Sequence, residues 1–324
     1  MVKAIRITET GGPEVLKLVD VDLADPGAGE VQVQHTAIGL NYIDTYFRSG
    51  LYPAPIPCGL GLEAAGVVTK VGDGVTTLKT GDRVAYGSGP LGAYSQAQNA
   101  PANRLVKVPN GVSDKDAAAM MLKGMTAHYL LRRTYKVKAG DTILFHAAAG
   151  GVGLIACQWA KHLGATVIGT VGSEEKAALA KQAGADHTIL YRDEDVPARV
   201  REITGGKMVP VVYDGVGKDT FEMSLDCLAP LGLLASFGNA SGPVPPFDLS
   251  ILNLKGSLFV TRPSLAAYTA SDEDLAMTAA DLFEVMAKGA VKADVRQEYA
   301  LADAAQAHKD LEGRKTTGAT VLIP

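Results

Sequence analysis

Between about residues 123 and 262, short apolar runs alternate with stretches whose apolar residues recur at helical spacing. The runs Thr142–His146, Thr166–Val171, Thr188–Tyr191, Pro210–Tyr213, Leu233–Phe237 and Leu258–Val260 predict strands, with helices between the first five. Strands this short and apolar on both faces suit a buried parallel sheet. Two of the intervening helices carry stop signals, Lys161-His-Leu-Gly164 and Lys181-Gln-Ala-Gly184, each a basic last turn followed by glycine. The βαβ alternation predicts a parallel sheet covered by helices on both faces.

Residues 1 to about 122 have a different texture. Val31–Ala37 alternates apolar and polar positions, and Ala64–Val71, Arg83–Tyr86 and Leu105–Val108 continue as short strands. Turn signals at Asp25-Pro-Gly27, Gly72-Asp-Gly74 and Gly81-Asp82 separate them. Helical pattern is sparse until Ser113, which can cap a helix with Asp116 in its first turn. Beyond about 263 the pattern predicts helices over Leu275–Lys288 and Leu301–Glu312 and a last strand over Gly318–Ile323, returning to the first domain.

Composition narrows the class. At 324 residues the chain suggests about two domains, and 47% hydrophobic with 20% charged residues is ordinary for a globular protein. A net charge of −4 with no basic stripe favours neither nucleic acid nor a membrane surface. No run of about 18 apolar residues predicts a membrane span. Cys58, Cys157 and Cys227 form no paired motif, which fits a reducing cytoplasm.

The candidate chemistry begins at His146-Ala-Ala148-Ala-Gly150-Gly151-Val152-Gly153, a glycine-rich turn between an apolar strand and an amphipathic helix. Glycines let the backbone approach a diphosphate, and the amides at a helix start point at negative charge. The pattern is A-x-G-x-x-G, with Ala148 in place of the first glycine. A second strand follows about 20 residues on. It ends at Val171, where an NAD site would carry an acid, and continues as Gly172, Ser173 and, one turn later, Lys176. With Tyr191 at the end of the next strand, these residues suit the 2′-phosphate of NADP. Taken alone, Lys176 would serve equally as an exposed helix lysine.

Longer motifs identify a family. Gly39-Leu-Asn41-Tyr-Ile-Asp44-Thr-Tyr46-Phe-Arg48-Ser-Gly50-Leu-Tyr52, Gly61-Leu-Glu63-Ala-Ala-Gly66, Lys123-Gly-Met-Thr126, Tyr213-Asp214-Gly-Val216-Gly217, Ser236-Phe237-Gly238-Asn239 and Val260-Thr261-Arg262-Pro-Ser264 occur in order along the chain. With the glycine turn, they resemble the zinc-independent NADPH:quinone oxidoreductases of the zeta-crystallin type, in the medium-chain dehydrogenase/reductase superfamily. The resemblance implies an α/β fold: a Rossmann doubly wound parallel sheet plus a GroES-like, mainly-β substrate domain. Residues 1–122 and 263–324 would form the substrate domain and 123–262 the NADPH-binding domain, with the active cleft between them. It implies a homodimer through the edge strand Leu258-Phe-Val260, since an open apolar edge invites pairing.

The resemblance also implies site residues. Asn41 would sit at the nicotinamide end as a hydrogen-bond donor, with Tyr46, Tyr52 and Arg262 on the acceptor side. Thr126, Tyr129, Val216, Phe237, Gly238, Asn239, Val260 and Thr261 would border the cofactor, and Arg314 would close over the 2′-phosphate. Tyr46 and Tyr52 would otherwise be loop packing, and Arg314 part of a solvated turn. Leu62 stands where the zinc enzymes of the superfamily carry a ligating histidine, and Asn41 where they carry the first ligand, so no metal is expected. His128 and His146 read as packed residues and Glu63 as structural. Without a Lewis acid the acceptor must already be electrophilic, which suits a quinone. The competing expectations are reduction of enone or alkenal double bonds, and non-catalytic NADPH binding.

Overall fold

The structure is a computed structural model and describes all 324 residues. Along the chain, β1 (Val2–Ile7), β2 (Lys17–Val21), β3 (Glu30–Leu40), α1 (Tyr42–Ser49), β4 (Cys58–Gly59), β5 (Glu63–Val71), β6 (Arg83–Tyr86), β7 (Ala97–Pro101) and β8 (Val106–Lys107) precede the long helix α2 (Asp114–Tyr129). Then come β9 (Thr142–Phe145), α3 (Gly151–His162), β10 (Thr166–Val171), α4 (Glu174–Gln182), β11 (His187–Leu190), α5 (Val196–Ile203), β12 (Val209–Asp214), α6 (Phe221–Asp226) and β13 (Leu228–Ser236). The chain ends with α7 (Ser250–Leu254), β14 (Phe259–Thr261), α8 (Leu265–Tyr268), α9 (Asp272–Ala287), β15 (Val295–Ala300), α10 (Ala304–Glu312) and β16 (Ala319–Ile323).

These elements form two compact units. The first comprises residues 1–125, 269–283 and 293–324, and the second residues 126–268 and 284–292. The second unit therefore reaches past 262 to Tyr268 and takes in the end of α9, where Gln158 bonds Lys292 through both its amide nitrogen and its oxygen.

The first unit is built on a mainly antiparallel sheet of order β15-β16-β3-β5-β6-β8, with β7 also on β3, and a small sheet β2-β1-β4. Alternation in β3 puts Val31 and Val33 inward, where they join Ile5, Ile7, Ile38, Leu40, Leu60, Val68 and Val84 in one core. Burying each such aliphatic side chain contributes about 1.5–3 kcal/mol. Near the end of the chain β16 pairs antiparallel with β3 as Thr320↔Leu40 and Leu322↔Ile38.

The second unit is a six-stranded parallel sheet of order β11-β10-β9-β12-β13-β14. Numbered from β9, this is 3-2-1-4-5-6, the order of dinucleotide-binding folds, with the strand order reversing between β9 and β12. Leu144, Ile168, Ile189, Val212 and Leu234 fill its centre.

Two elements differ from the sequence expectation. No helix is predicted between Val31 and Ser113, yet α1 forms there. Gly50 stops it at φ +82°, and its charged side chains are held by distant partners described below. Strand β13 begins five residues before the predicted Leu233, and its pairing with β12 shifts register between Val209 and Val211 to accommodate the early part.

Candidate active site

The glycine turn lies at the reversal of strand order, where such sheets bind ligands. Ala147 turns the chain at φ +53°, and Gly150 then precedes α3 with extended backbone (φ −80°, ψ 173°). The Gly150 amide bonds Ala147 O at 2.9 Å and the Ala148 amide bonds Thr170 O at 3.1 Å. Ala148 therefore braces the turn with its amide and does not offer it to a ligand. The amides a helix start leaves for an anion are those of Gly151, Val152 and Gly153. The glycines differ in what surrounds them. A Cβ at Gly153 would fall 2.5 Å from Ala147 O and 2.7 Å from the Ala148 carbonyl, whereas at Gly150 it would meet only Ala147 O, at 3.1 Å. Gly153 is required for packing; Gly150 faces open space. An open, amide-lined approach of this kind fits a diphosphate.

At the end of β10, a Cβ on Gly172 would lie 2.8 Å from the Tyr191 hydroxyl, so glycine lets that ring close over the turn. Ser173 caps α4, its hydroxyl accepting from the Lys176 amide at 3.4 Å, which leaves the hydroxyl hydrogen to donate elsewhere. Lys176 is half-buried one turn along. Arg192 was missed in the sequence, although it adjoins Tyr191; its guanidinium lies 5.9 Å from the Tyr191 ring centre. The structure thus brings Gly172, Ser173, Lys176 and Tyr191 together with a second cation.

Behind the turn runs a buried polar chain. Thr170 Oγ1 lies 2.9 Å from His146 Nδ1, His146 Nε2 3.0 Å from Ser224 Oγ, and Ser224 donates to Asp214 at 2.9 Å. Because Ser224 donates to Asp214, His146 carries its proton on Nε2 and accepts at Nδ1; burial holds its pKa below the ordinary value. Asp214 also takes Thr220 Oγ1 and the amides of Val216 and Gly217, fixing the turn after β12. His146 is a packed residue with every nitrogen partnered, and so is no ligand.

Arg262, just after β14, donates to Ser236 O at 2.8 Å and Gly238 O at 3.2 Å. Asn239 bonds Gly238 O and Arg262 Nη2 when its amide is turned to satisfy both. Arg262 thus braces the turn after β13. Phe237 packs against Phe145, and a Cβ on Gly215 would fall 2.9 Å from its ring. Val260 and Thr261 are half-buried in β14. Thr126 and Tyr129 are buried on α2, Tyr129 stacking on Tyr268 at 4.7 Å. His128 packs against Trp159.

In the first unit, Asn41 is buried and precedes α1. Its backbone amide donates to Asp44 Oδ2 at 2.8 Å and its side-chain amide to Glu63 Oε2 at 2.8 Å. Tyr94 donates to the same Asp44 oxygen at 2.8 Å. Asp44 Oδ1 is buried without a partner, and burial lifts this carboxyl to about 7. The chain of contacts continues from Tyr94 to His308 Nε2 (3.1 Å) and from His308 Nδ1 to Arg48 (3.0 Å). Arg48 grips Glu312 with both terminal nitrogens (2.8 and 2.7 Å). Arg48 can only donate, so His308 is neutral with its proton on Nε2; burial, then the Arg48 charge, push its pKa down to about 3. Tyr46 lies within helix α1 rather than in a loop, buried, with the Tyr52 ring 5.2 Å away, edge-on. Arg314 stands in the exposed turn after α10, at φ +58°. No group of three or more His, Cys, Asp and Glu side chains is arranged to hold a metal ion.

A parallel sheet in 3-2-1-4-5-6 order with an open glycine turn, in one chain with a mainly antiparallel unit, is the architecture of a two-domain dinucleotide-binding protein. Comparison with known proteins agrees. The domain family described as "Zinc-binding dehydrogenase" matches residues 151–279, and the one described as "Alcohol dehydrogenase GroES-like domain" matches residues 27–110. A Pseudomonas aeruginosa protein named quinone oxidoreductase is 58% identical over all of both chains. The crystal structure of Escherichia coli quinone oxidoreductase complexed with NADPH is 55% identical, with a TM-score of 0.98 over 99% of this chain and all of that one. A Burkholderia protein named 2-haloacrylate reductase is 48% identical over all of this chain and 99% of its own. The chain belongs to the quinone oxidoreductase family of the medium-chain dehydrogenases/reductases.

Proposed function

We propose that the protein is an enzyme that reduces quinones with NADPH and does so without a metal. The observation that carries the activity is end-to-end identity of 55–58% to quinone oxidoreductases, one of them in complex with NADPH. The residues present fit the cofactor. The amides of Gly151, Val152 and Gly153 hold the diphosphate, with Gly150 leaving room for it. Gly172, Ser173, Lys176 and Tyr191 take the 2′-phosphate, and Arg314 is a further cation for that role. Thr126, Tyr129, Val216, Phe237, Gly238, Asn239, Val260 and Thr261 border the rest. NADPH when bound supplies the reducing equivalents. Asn41 donates a hydrogen bond to the oxygen that gains charge, and the Tyr46 and Tyr52 rings offer flat faces and phenol donors to the acceptor. Metal-free reduction is supported by Leu62, which cannot ligate, and by Asn41, a neutral amide with one N–H given to Glu63.

A second reading, reduction of an activated carbon–carbon double bond, is favoured by the 48% identity to the 2-haloacrylate reductase. Steady-state assays of NADPH oxidation with a benzoquinone and with an α,β-unsaturated ketone separate the two. A kcat/KM at least tenfold higher for the quinone is expected, on the order of 1.4 kcal/mol in transition-state stabilisation. Turnover of the enone alone would transfer the assignment.

Pairing of two copies through β14 is supported by the edge position of that strand and by Phe259, which is 60% exposed on it; Leu231 and Leu254 in the same unit are exposed too. The strand itself spans Phe259–Thr261, with Leu258 buried just before it. A cytoplasmic setting is supported by three buried free cysteines. No helix is long and apolar enough to cross a membrane.

A further inference from the structure

Glu63 begins β5 and is wholly buried. Each partner it has is a donor: the Leu122 amide on Oε1 (2.6 Å), and Lys123 Nζ (3.0 Å) with Asn41 Nδ2 (2.8 Å) on Oε2. Lys123 is itself only 5% exposed, so this is a buried ion pair with a neutral amide sharing one of its oxygens. The backbone makes space for it. A Cβ at Gly39 would sit 2.0 Å from Glu63 Oε2 and 2.3 Å from Ala118 O. The quoted sequence motifs contain Gly39, Glu63 and Lys123, but the activity described above uses none of them.

A carboxylate only accepts, whereas a carboxamide has one accepting and one donating end. Beside Glu63, Asn41 must therefore give one of its two N–H bonds to the carboxylate, which fixes where the second N–H points and leaves that one to donate to the reactants. We propose that Glu63, anchored by Lys123 and the Leu122 amide, is a positioning residue that sets which edge of the Asn41 carboxamide is presented to the reactants. The proposal rests on reading Asn41 as the donor of the reduction. Asp44 and Tyr94 hold the Asn41 backbone, and Glu63 holds the side chain, so the two carboxylates divide the task.

Removing one charge alone would strand the other in the interior, so the test removes both. In Glu63→Gln/Lys123→Met the cation is gone and the Leu122 amide, fixed by α2, keeps the Gln oxygen. The Gln nitrogen then faces Asn41, whose oxygen must turn toward it. Four proteins are compared: wild type, Asn41→Ala, the Glu63→Gln/Lys123→Met variant and their combination. Each is assayed for NADPH affinity by fluorescence and for quinone turnover, and a neutron crystal structure of the deuterium-exchanged Glu63→Gln/Lys123→Met variant, in which the amide nitrogen is marked by its deuterons, reads the carboxamide directly. We expect kcat to fall roughly tenfold in Asn41→Ala and in the paired variant, and no further in the combination. The crystal structure should show Asn41 reversed. Factors that multiply, or an unreversed Asn41, overturn the proposal while leaving the function intact. A wild type without quinone turnover overturns the function, and the crystal structure still decides the positioning. Should the paired variant not fold, Glu63→Asp keeps the charge beside Lys123 but shortens its reach. The same non-additivity with Asn41→Ala is expected there, and additive losses refute it.

Discussion

The two glycines that flank the first turn of α3 separate folding from binding, and each substitution should affect one and spare the other. At Gly153 a methyl group would fall 2.5 Å from Ala147 O and 2.7 Å from the carbonyl of Ala148. Both are backbone atoms of a turn pinned by the Ala148–Thr170 bond, so neither yields cheaply. Overpacking of this kind costs about 1–3 kcal/mol, offset by about 1 kcal/mol because alanine is the better helix former. Gly153→Ala should therefore lose roughly 0–2 kcal/mol and lower the melting temperature. Gly150 has ordinary extended dihedrals and one neighbour, at 3.1 Å. Gly150→Val is compatible with these dihedrals; the gain from restricting the unfolded chain is offset by a poorer N-cap and a tight approach to Ala147 O, so unliganded stability should change by no more than about 1 kcal/mol. Its methyl groups, however, occupy the approach of the diphosphate. The assay is thermal unfolding followed by circular dichroism, with and without NADPH. At a hundredfold excess over its Kd, NADPH stabilises the wild type by about 2.7 kcal/mol, and Gly150→Val should lose that increment while keeping its unliganded stability. A Gly150→Val protein that still gains the full increment, or that unfolds before Gly153→Ala does, would refute the division.

Other predictions follow from the same geometry. Lys176→Ala should weaken NADPH about ten- to a hundredfold, the worth of one charged hydrogen bond, and leave NADH nearly unchanged; equal effects on both cofactors would remove Lys176 from the 2′-phosphate site. Purified protein should retain quinone turnover after exhaustive dialysis against a chelator, and loss of activity together with one zinc per chain would refute the metal-free reading. Stability should be greatest near pH 6.5. Asp44, buried among Tyr94, Lys123 and Glu63, has its carboxyl raised to about 7, so its contribution is complete below about 4 and is lost as pH rises through 7. His35 and His308, pushed down to about 4 and about 3 by burial, contribute stability that is complete above about 6.5 and is lost as pH falls. With His146 lowered in the same direction, the histidines outweigh the one carboxyl, and stability falls by at least about 1.4 kcal/mol per pH unit below 6.5. A denaturant midpoint that rises as pH falls from 6.5 to 5 would contradict this.

The two units differed in how much of them could be read in advance, and the reason is physical. The site proposed in the second unit holds an anion with backbone amides. That device needs a strand, a glycine turn and a helix in direct succession, all of which are local. Thr142–Phe145, the turn and Gly151–His162 are accordingly legible, as is Val171, where an expected acid is missing. Its one missed residue of note, Arg192, acts by lying beside Tyr191, and a single exposed arginine leaves no periodic trace.

The first unit builds its site from side chains that meet across long stretches of sequence. Asn41 finds Glu63 22 residues on, Glu63 finds Lys123 60 residues on, and Arg48 finds Glu312 264 residues on. Helix α1 has a mixed local pattern, Tyr-Ile-Asp-Thr-Tyr-Phe-Arg-Ser, with aromatic and β-branched residues that favour strands. It is helical because Asp44 reaches back to the Asn41 amide and because Arg48 is gripped by Gly11 O, His308 and Glu312. Tyr46 is assigned to the acceptor side by resemblance alone, with loop packing as the alternative, for the same reason: its environment is supplied by contacts that patterning does not encode. Glu63 reads as structural, and in one sense it is, since it binds no reactant. Yet a buried acceptor with three donors dictates the orientation of the one side-chain amide among them. The distinction between structural and functional therefore fails at this position: the group that holds the site together also determines which way it faces.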